Sequence, residues 1–172
     1  NKIKHTIDAI KKKKKTQETV LSSEVIYEDD ELLCYSDRIL SKFYIGSNHA
    51  ENVKEKVKGI LEKCEEIEFI YVLPVPLPIL LEESVEEQYN SYIDFIEELS
   101  LGKEEKIRVI DTLPILREHK NEYIFFKTEN KWTTRGAYYG ADIFLREMDE
   151  VIEPLEAYDE FSYNSFGGEM KY

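Results

Sequence analysis

The feature that most constrains this chain is an alternation of two patterns. Short runs of β-branched and aromatic residues, each closed by a turn or a proline, take turns with amphipathic stretches of helical length. Ile67-Glu-Phe-Ile-Tyr-Val-Leu73 is one such run, and it meets Pro74-Val-Pro-Leu-Pro78, which lacks the N–H donors to continue a ladder. A central strand followed by an extended loop is expected there. Ser84 then stands where it can cap a helix whose Val85, Tyr89, Tyr92, Ile93, Ile96 and Leu99 recur on one face, with Gly102 closing it. Ile107-Arg-Val-Ile110 gives the next strand, ended by Asp111-Thr112, and a short helix with Pro114 in its first turn runs to about His119. Glu122-Tyr-Ile-Phe-Phe126 reads as a further strand. Thr133-Thr134 opens a helix carrying Ala137, Tyr138, Ala141, Ile143, Phe144, Leu145 and Met148.

Upstream, Phe43-Tyr-Ile45 reads as a short strand that meets Gly46-Ser47-Asn48. Ser47 or Asn48 is placed to cap a helix with Val53, Val57, Ile60, Leu61 and Cys64 on one face, running to about Cys64. Strands alternating with helices predict an α/β fold of three layers, a mostly parallel sheet flanked by helices. In such sheets ligands sit beyond the carboxyl ends of the strands. Those ends are predicted at Gly46-Ser47-Asn48, Leu73-Pro74, Asp111-Thr112 and Thr128 to Trp132.

Charge divides the chain and excludes some partners. Acids outnumber bases 36 to 23 over 172 residues, a formal charge of -13, which repels phosphate backbones and excludes nucleic acid as a partner. Residues 1–31 stand apart: Lys11 to Lys15 form a basic block and Tyr27-Glu-Asp-Asp-Glu31 an acidic one. Such runs mark a solvated helix face or a mobile arm, with a basic patch for anionic lipid or polymer as the alternative. Residues 32–172 are expected to form a single α/β domain. Cys34 and Cys64 lack the spacing of a zinc site and read as two small buried thiols. His5, His49 and His119 have no partner at i+2 or i+4, so neither a metal nor a cofactor is implied. No apolar run approaches the roughly 20 residues of a membrane helix. A start at Asn1, without Met and without a signal peptide, is read as a processed or trimmed end.

The stretch that carries chemistry is Phe126-Lys-Thr-Glu-Asn-Lys-Trp-Thr-Thr-Arg-Gly-Ala-Tyr-Tyr139, which has the strand, turn and helix layout of a catalytic turn. Together with Ile110-Asp-Thr-Leu-Pro-Ile-Leu-Arg117 it resembles the core of the DHHW family, proteins similar to the alginate O-acetyltransferases with an SGNH-hydrolase-like fold. The family pattern is Thr-Asp-x-His-Trp-Thr followed by a helix. The resemblance implies that its Asp and His activate a serine further along the chain, in a Gly-Asp-Ser turn. Position by position, Glu129 stands for the Asp, Asn130 for the middle residue and Lys131 for the His, while Trp132 and Thr133 match; no Gly-Asp-Ser follows up to Tyr172. A lysine with its ordinary pKa of about 10.4 holds its proton and cannot serve as that base unless burial depresses the value.

Other candidates have two readings each. Ser47 sits between strand and helix, where either a nucleophile elbow or an ordinary helix start fits. Ser162 and Ser165, beside Gly167-Gly168, lie in an aromatic tail with Phe161, Tyr163, Phe166 and Tyr172. Trp132 is a packing anchor or a sugar-stacking platform. Tyr138 and Tyr139, about 100° apart on a helix, cannot both face the core. The candidate catalytic positions are thus Glu129 and Lys131, and the candidate binding residues are Asn130, Trp132, Thr133, Tyr138, Tyr139 and Ser47. Three functions compete: a non-catalytic relative that binds cell-surface polysaccharide or an envelope protein, a fragment of an active O-acetyltransferase or esterase, and a structural interaction module. The resemblance implies an extracytoplasmic bacterial setting.

Overall fold

In the computed structural model, residues 24–64, 66–82, 85–101 and 106–159 are described. They form a mixed α/β fold with two small sheets. Strands β1 (Val25–Glu28), β2 (Leu32–Tyr35) and β3 (Ile39–Ser41) make an antiparallel sheet in that order, while β4 (Ile70–Val72) and β5 (Ile107–Val109) make a parallel pair. The helices are α1 (His49–Leu61), α2 (Glu86–Ser100), α3 (Leu113–Glu118) and α4 (Thr134–Arg146), with single 3-10 turns at Pro78–Leu81 and Leu155–Ala157. Lys11 to Lys15, Ser84, Gly102 and the tail from 160 onward lie outside the described residues.

The expected three-layer, mostly parallel sheet is corrected by this topology, and the reasons are local. Phe43-Tyr-Ile45 is not a strand: the Ile45 amide donates to Ser91 Oγ at 3.1 Å, so a hydroxyl on α2 takes the place of a neighbouring strand. Glu122 to Phe126 is not a sheet strand either, because Phe125 bridges antiparallel to Trp132 of the same hairpin. Nearby pairing closes a loop of a few residues and therefore loses less chain entropy than joining a distant sheet. Of the four predicted carboxyl ends, only Leu73-Pro74 and Asp111-Thr112 belong to the parallel pair.

The antiparallel sheet was not foreseen. Its first turn is an aspartate turn: Asp29 Oδ1 accepts from the amides of Glu31 at 2.9 Å and Leu32 at 2.8 Å. That hairpin spans residue 31, with Tyr27 opposite Cys34 and Glu28 opposite Leu33. Leu33, Tyr35 and Leu40 turn one face inward onto Ile79, Leu80, Val85, Tyr92 and Leu113, which together form the main core. Cys34 is buried, but Cys64 is exposed, so the expectation of two buried thiols holds for one; both are free.

Helix α1 ends at Leu61 rather than Cys64, and Asn48 occupies its N-cap without a side-chain capping bond. Ala50 and Val53 pack with Phe95 and Leu99 of α2 and Val57 is buried as well, whereas Ile60 is exposed. The face predicted for α2 is observed, with Gln88 and Phe95 buried as well. Met148, expected on the helix opened by Thr133-Thr134, lies beyond the end of α4 at Arg146 and is exposed.

The carboxyl end of the parallel pair is closed by side chains. Fully buried Thr112 donates through Oγ1 to the Pro74 carbonyl at 3.0 Å. Asp111 Oδ1 accepts from the Tyr92 hydroxyl at 2.6 Å and from the Leu113 amide at 2.9 Å, which starts α3. Burial, and then the Asp111 carboxylate, push the Tyr92 phenol well above its ordinary pKa. Tyr92→Phe keeps the ring and removes only the donor. It is expected to lower stability by about 1.5–3 kcal/mol in urea unfolding, the range for a hydrogen bond to a charged group, with far-UV circular dichroism unchanged.

Candidate functional site

The motif residues lie on a hairpin that feeds α4. Phe125 bridges to Trp132, the Phe126 amide donates to the Lys131 carbonyl at 3.1 Å, and the Thr133 amide donates to the Ile124 carbonyl at 2.9 Å. The turn is held to the antiparallel sheet by two bonds: Ile39 N–H to the Lys127 carbonyl at 2.9 Å, and Asn130 Nδ2 to Ser41 Oγ at 3.1 Å. Thr133 then starts the helix. Its hydroxyl donates to the Tyr123 carbonyl at 2.6 Å and accepts from the Gly136 amide at 3.3 Å, a side-chain N-cap.

Trp132 packs with Leu116, Ile124, Phe125 and Tyr139, and its indole lies across α4 where that helix has glycines. A Cβ on Gly140 would stand 2.5 Å from Trp132 Cζ3 and 2.7 Å from Cη2, and one on Gly136 would meet the Ile124 carbonyl. The indole is therefore a packing anchor. Its Nε1 is buried without a hydrogen-bond partner among the described residues, as is Asn130 Oδ1, so polar groups left unpaired gather at the motif turn.

Glu129 is buried at 7% exposure, and Lys131, with 59% of its side chain exposed, places Nζ 3.6 Å from Glu129 Oε2. This ion pair occupies the two positions matched to the family's Asp and His. The turn brings together charged and hydrogen-bonding groups.

The remaining candidates are distributed unevenly. Tyr139 is buried in the Trp132 cluster; half-buried Tyr138 packs against the same cluster, donates to the Glu153 carbonyl at 3.1 Å and meets Tyr158 edge-on. Ser47 is exposed in the turn before α1 and, among the described residues, makes no hydrogen bond to the motif.

A second polar cluster, missed in the sequence, sits on the other side of the same hairpin. The Glu122 carboxylate meets His119 Nδ1 at 2.7 Å, Arg135 Nη1 at 2.9 Å and the Tyr139 hydroxyl at 2.7 Å. The His119 ring stacks on Tyr139 with centroids 3.7 Å apart and planes 15° apart. The signal was the spacing of His119 and Glu122, three residues apart at the end of a helix; spacings of two and four pass it over. Burial raises the Glu122 pKa, but the three donors outweigh it and hold the carboxyl at about 2. Burial and the bond to Glu122 push the Tyr139 phenol up to about 12.

Two outcomes follow from these contacts. Gly140→Ala gains helix propensity of about 1 kcal/mol, yet it drives a methyl into a ring held by four neighbours. It is expected to lower stability by about 1–3 kcal/mol net in chemical denaturation, the sign opposite to that for an exposed helical glycine. Glu122 has a folded pKa of about 2 against an ordinary value of 4.5. Its contribution is therefore present above pH 4.5 and lost as pH falls from there toward about 2. In Glu122→Gln the decline of the melting temperature over that acid window should be shallower than in the parent chain.

Comparison with known proteins gives three findings. The model of the family described as "DHHW protein" matches residues 10–172. A DHHW family protein from Eubacterium siraeum superposes with a TM-score of 0.63 at 21% identity, over 79% of this chain and 46% of that one. Bacillus cereus PatB1, solved with a sulfonyl adduct, superposes with a TM-score of 0.52 at 14% identity, over 68% of this chain and 42% of that one. At these identities the two structures establish likeness of fold, and this chain spans less than half the length of each. Comparison with curated proteins gives no match. On the family match, which takes in nearly the whole sequence, the chain belongs to the DHHW family.

Proposed function

We propose that this DHHW-family domain binds a polysaccharide of the bacterial cell envelope at the motif turn and performs no acyl transfer there. The observation that carries this reading is the Lys131 to Glu129 ion pair at 3.6 Å, standing where the family pattern has a His and an Asp. The hairpin, the Thr133 cap and the Trp132 anchor keep the turn's shape while the proton acceptor is gone. Exposed Tyr123, edge-on to Phe126, supplies a free aromatic face beside the turn, and Lys131 a hydrogen-bond donor. A formal charge of -13 favours neutral or amino sugars over polyanionic polymers. The likeness to PatB1 supports an SGNH-hydrolase-like architecture for the whole protein.

A second reading has one observation in its favour: this chain covers only 46% and 42% of the two solved chains. In that reading the domain belongs to an O-acetyltransferase or esterase whose nucleophilic serine lies on another segment. Acetyl transfer by the longer protein would then vanish in Lys131→Ala.

The test of the binding reading is a glycan array spanning neutral, amino and acidic polysaccharides. The chain should bind neutral or amino polymers, and Tyr123→Ala and Lys131→Ala should each weaken binding about tenfold or more while melting like the parent. Absence of any glycan signal, or a signal indifferent to both substitutions, would reject it.

A further inference from the structure

We propose that the cleft walled by the segment before α1, the loop after β4 and the first turns of α2 binds a small amphiphilic amine. The occupant is one ring or one branched alkyl group carrying an ammonium. None of the cleft residues belongs to the motif turn, so the proposal does not depend on the carbohydrate reading.

The cavity is built from apolar side chains around a single free amide. Exposed Phe43 and Val75 stand at its mouth, buried Ile79, Leu80 and Tyr92 form its walls, and Gln88, only 7% exposed, lies among them. The Tyr92 hydroxyl is committed to Asp111 at 2.6 Å, which leaves Gln88 as the polar side chain on offer. The cleft holds about 280 Å³ of free space, just under the roughly 300–1,000 Å³ of sites for drug-sized ligands. Its occupant is therefore small.

The orientation of the amide follows from its partners. A carboxylate only accepts, so the Tyr44 hydroxyl donates to Glu87 Oε2 at 3.4 Å. That hydroxyl then takes its other bond as an acceptor, and Gln88 Nε2 supplies it at 3.0 Å. The amide nitrogen is thereby turned to Tyr44, and the oxygen to the opposite side. Among the described residues no donor reaches Gln88 Oε1. A nearly buried acceptor between apolar walls calls for a donor carried by the occupant.

Charge selects which donor. Glu86 and Glu87 are exposed in the first turn of α2, a helix with no basic residue, and form no ion pair among the described residues. Nearby Glu82 is already taken by Arg38 at 2.8 Å. The dipole of α2 places about half a positive charge at this end, which the two free carboxylates outweigh. An ammonium is thus favoured over a hydroxyl, and a carboxylate is repelled.

The experiment titrates phenethylammonium into the full 172-residue chain and follows the backbone amides by NMR, with 2-phenylethanol and phenylacetate as neutral and anionic counterparts of the same ring. Phenethylammonium should give saturable shifts at Phe43, Val75 and Gln88. Binding of 2-phenylethanol should be about tenfold weaker, and phenylacetate should give no saturable shift. Gln88→Leu keeps the size without the acceptor and should weaken phenethylammonium about tenfold, the scale of a hydrogen bond to a charged group. Glu87→Gln should bring phenethylammonium down to the level of 2-phenylethanol, and Val75→Trp, at a position 54% exposed, should close the mouth and abolish the shifts at Phe43 and Gln88. These last two are surface changes that should melt like the parent, so a folding defect in Gln88→Leu leaves the test intact. No saturable shift at the cleft, equal affinity for phenylacetate, or binding unchanged in both Glu87→Gln and Val75→Trp would each overturn the proposal.

Discussion

The contact on which the site depends is Trp132 against α4: its indole lies on Gly140, while Gly136 faces the Ile124 carbonyl and the Trp132 Cβ. Neither position has room for a side chain, and their glycines let the hairpin come close to the helix. This sets how closely the hairpin approaches the helix. The approach in turn lets the Thr133 hydroxyl reach both the Tyr123 carbonyl and the Gly136 amide. On the other side of the same hairpin, Glu122 is brought level with Arg135 and Tyr139 in the first turns of α4. A shift of the indole would move the motif turn and the His119 corner together.

The two carboxylates flanking this hairpin show how surroundings divide chemical roles. Glu129 is buried, with the exposed Lys131 ammonium 3.6 Å from its Oε2, an arrangement that offsets charge. Glu122 is about a third exposed yet receives three donors, one of them an imidazole whose other nitrogen is open. The same side chain is thus a counter-ion in one place and an orienting acceptor in the other. The indole, the glycines of α4 and the threonine cap account for the packing of this turn.

The parallel pair plays a supporting part. Its carboxyl end is sealed by Thr112 and by the Tyr92 to Asp111 bond, both directed inward. The rule that ligands gather at such ends presupposes an open crevice. Here Leu113, Leu80 and Tyr92 belong to the main core beside that end.

What the sequence determined by itself is local. The 3.6-residue spacing of Tyr92, Ile96 and Leu99 fixed α2 and its inward face, Pro114 fixed the start of α3, and Thr133 fixed the cap of α4, because each depends on neighbours within a turn or two. The motif residues from Glu129 to Thr133 were likewise legible as one turn, since chain continuity holds them together. Only the tertiary structure decided which short apolar runs pair, since strand pairing joins residues far apart and leaves no periodic mark. Phe43 to Ile45 and Glu122 to Phe126 have strand composition, yet Ser91 took the first run's donor and Trp132 paired with the second. The antiparallel sheet and the His119 to Glu122 corner escaped for the same reason. The sheet's three strands have only three or four residues each, and the corner is completed by Arg135 and Tyr139 from a separate helix, whose approach is set by Trp132 on its glycines.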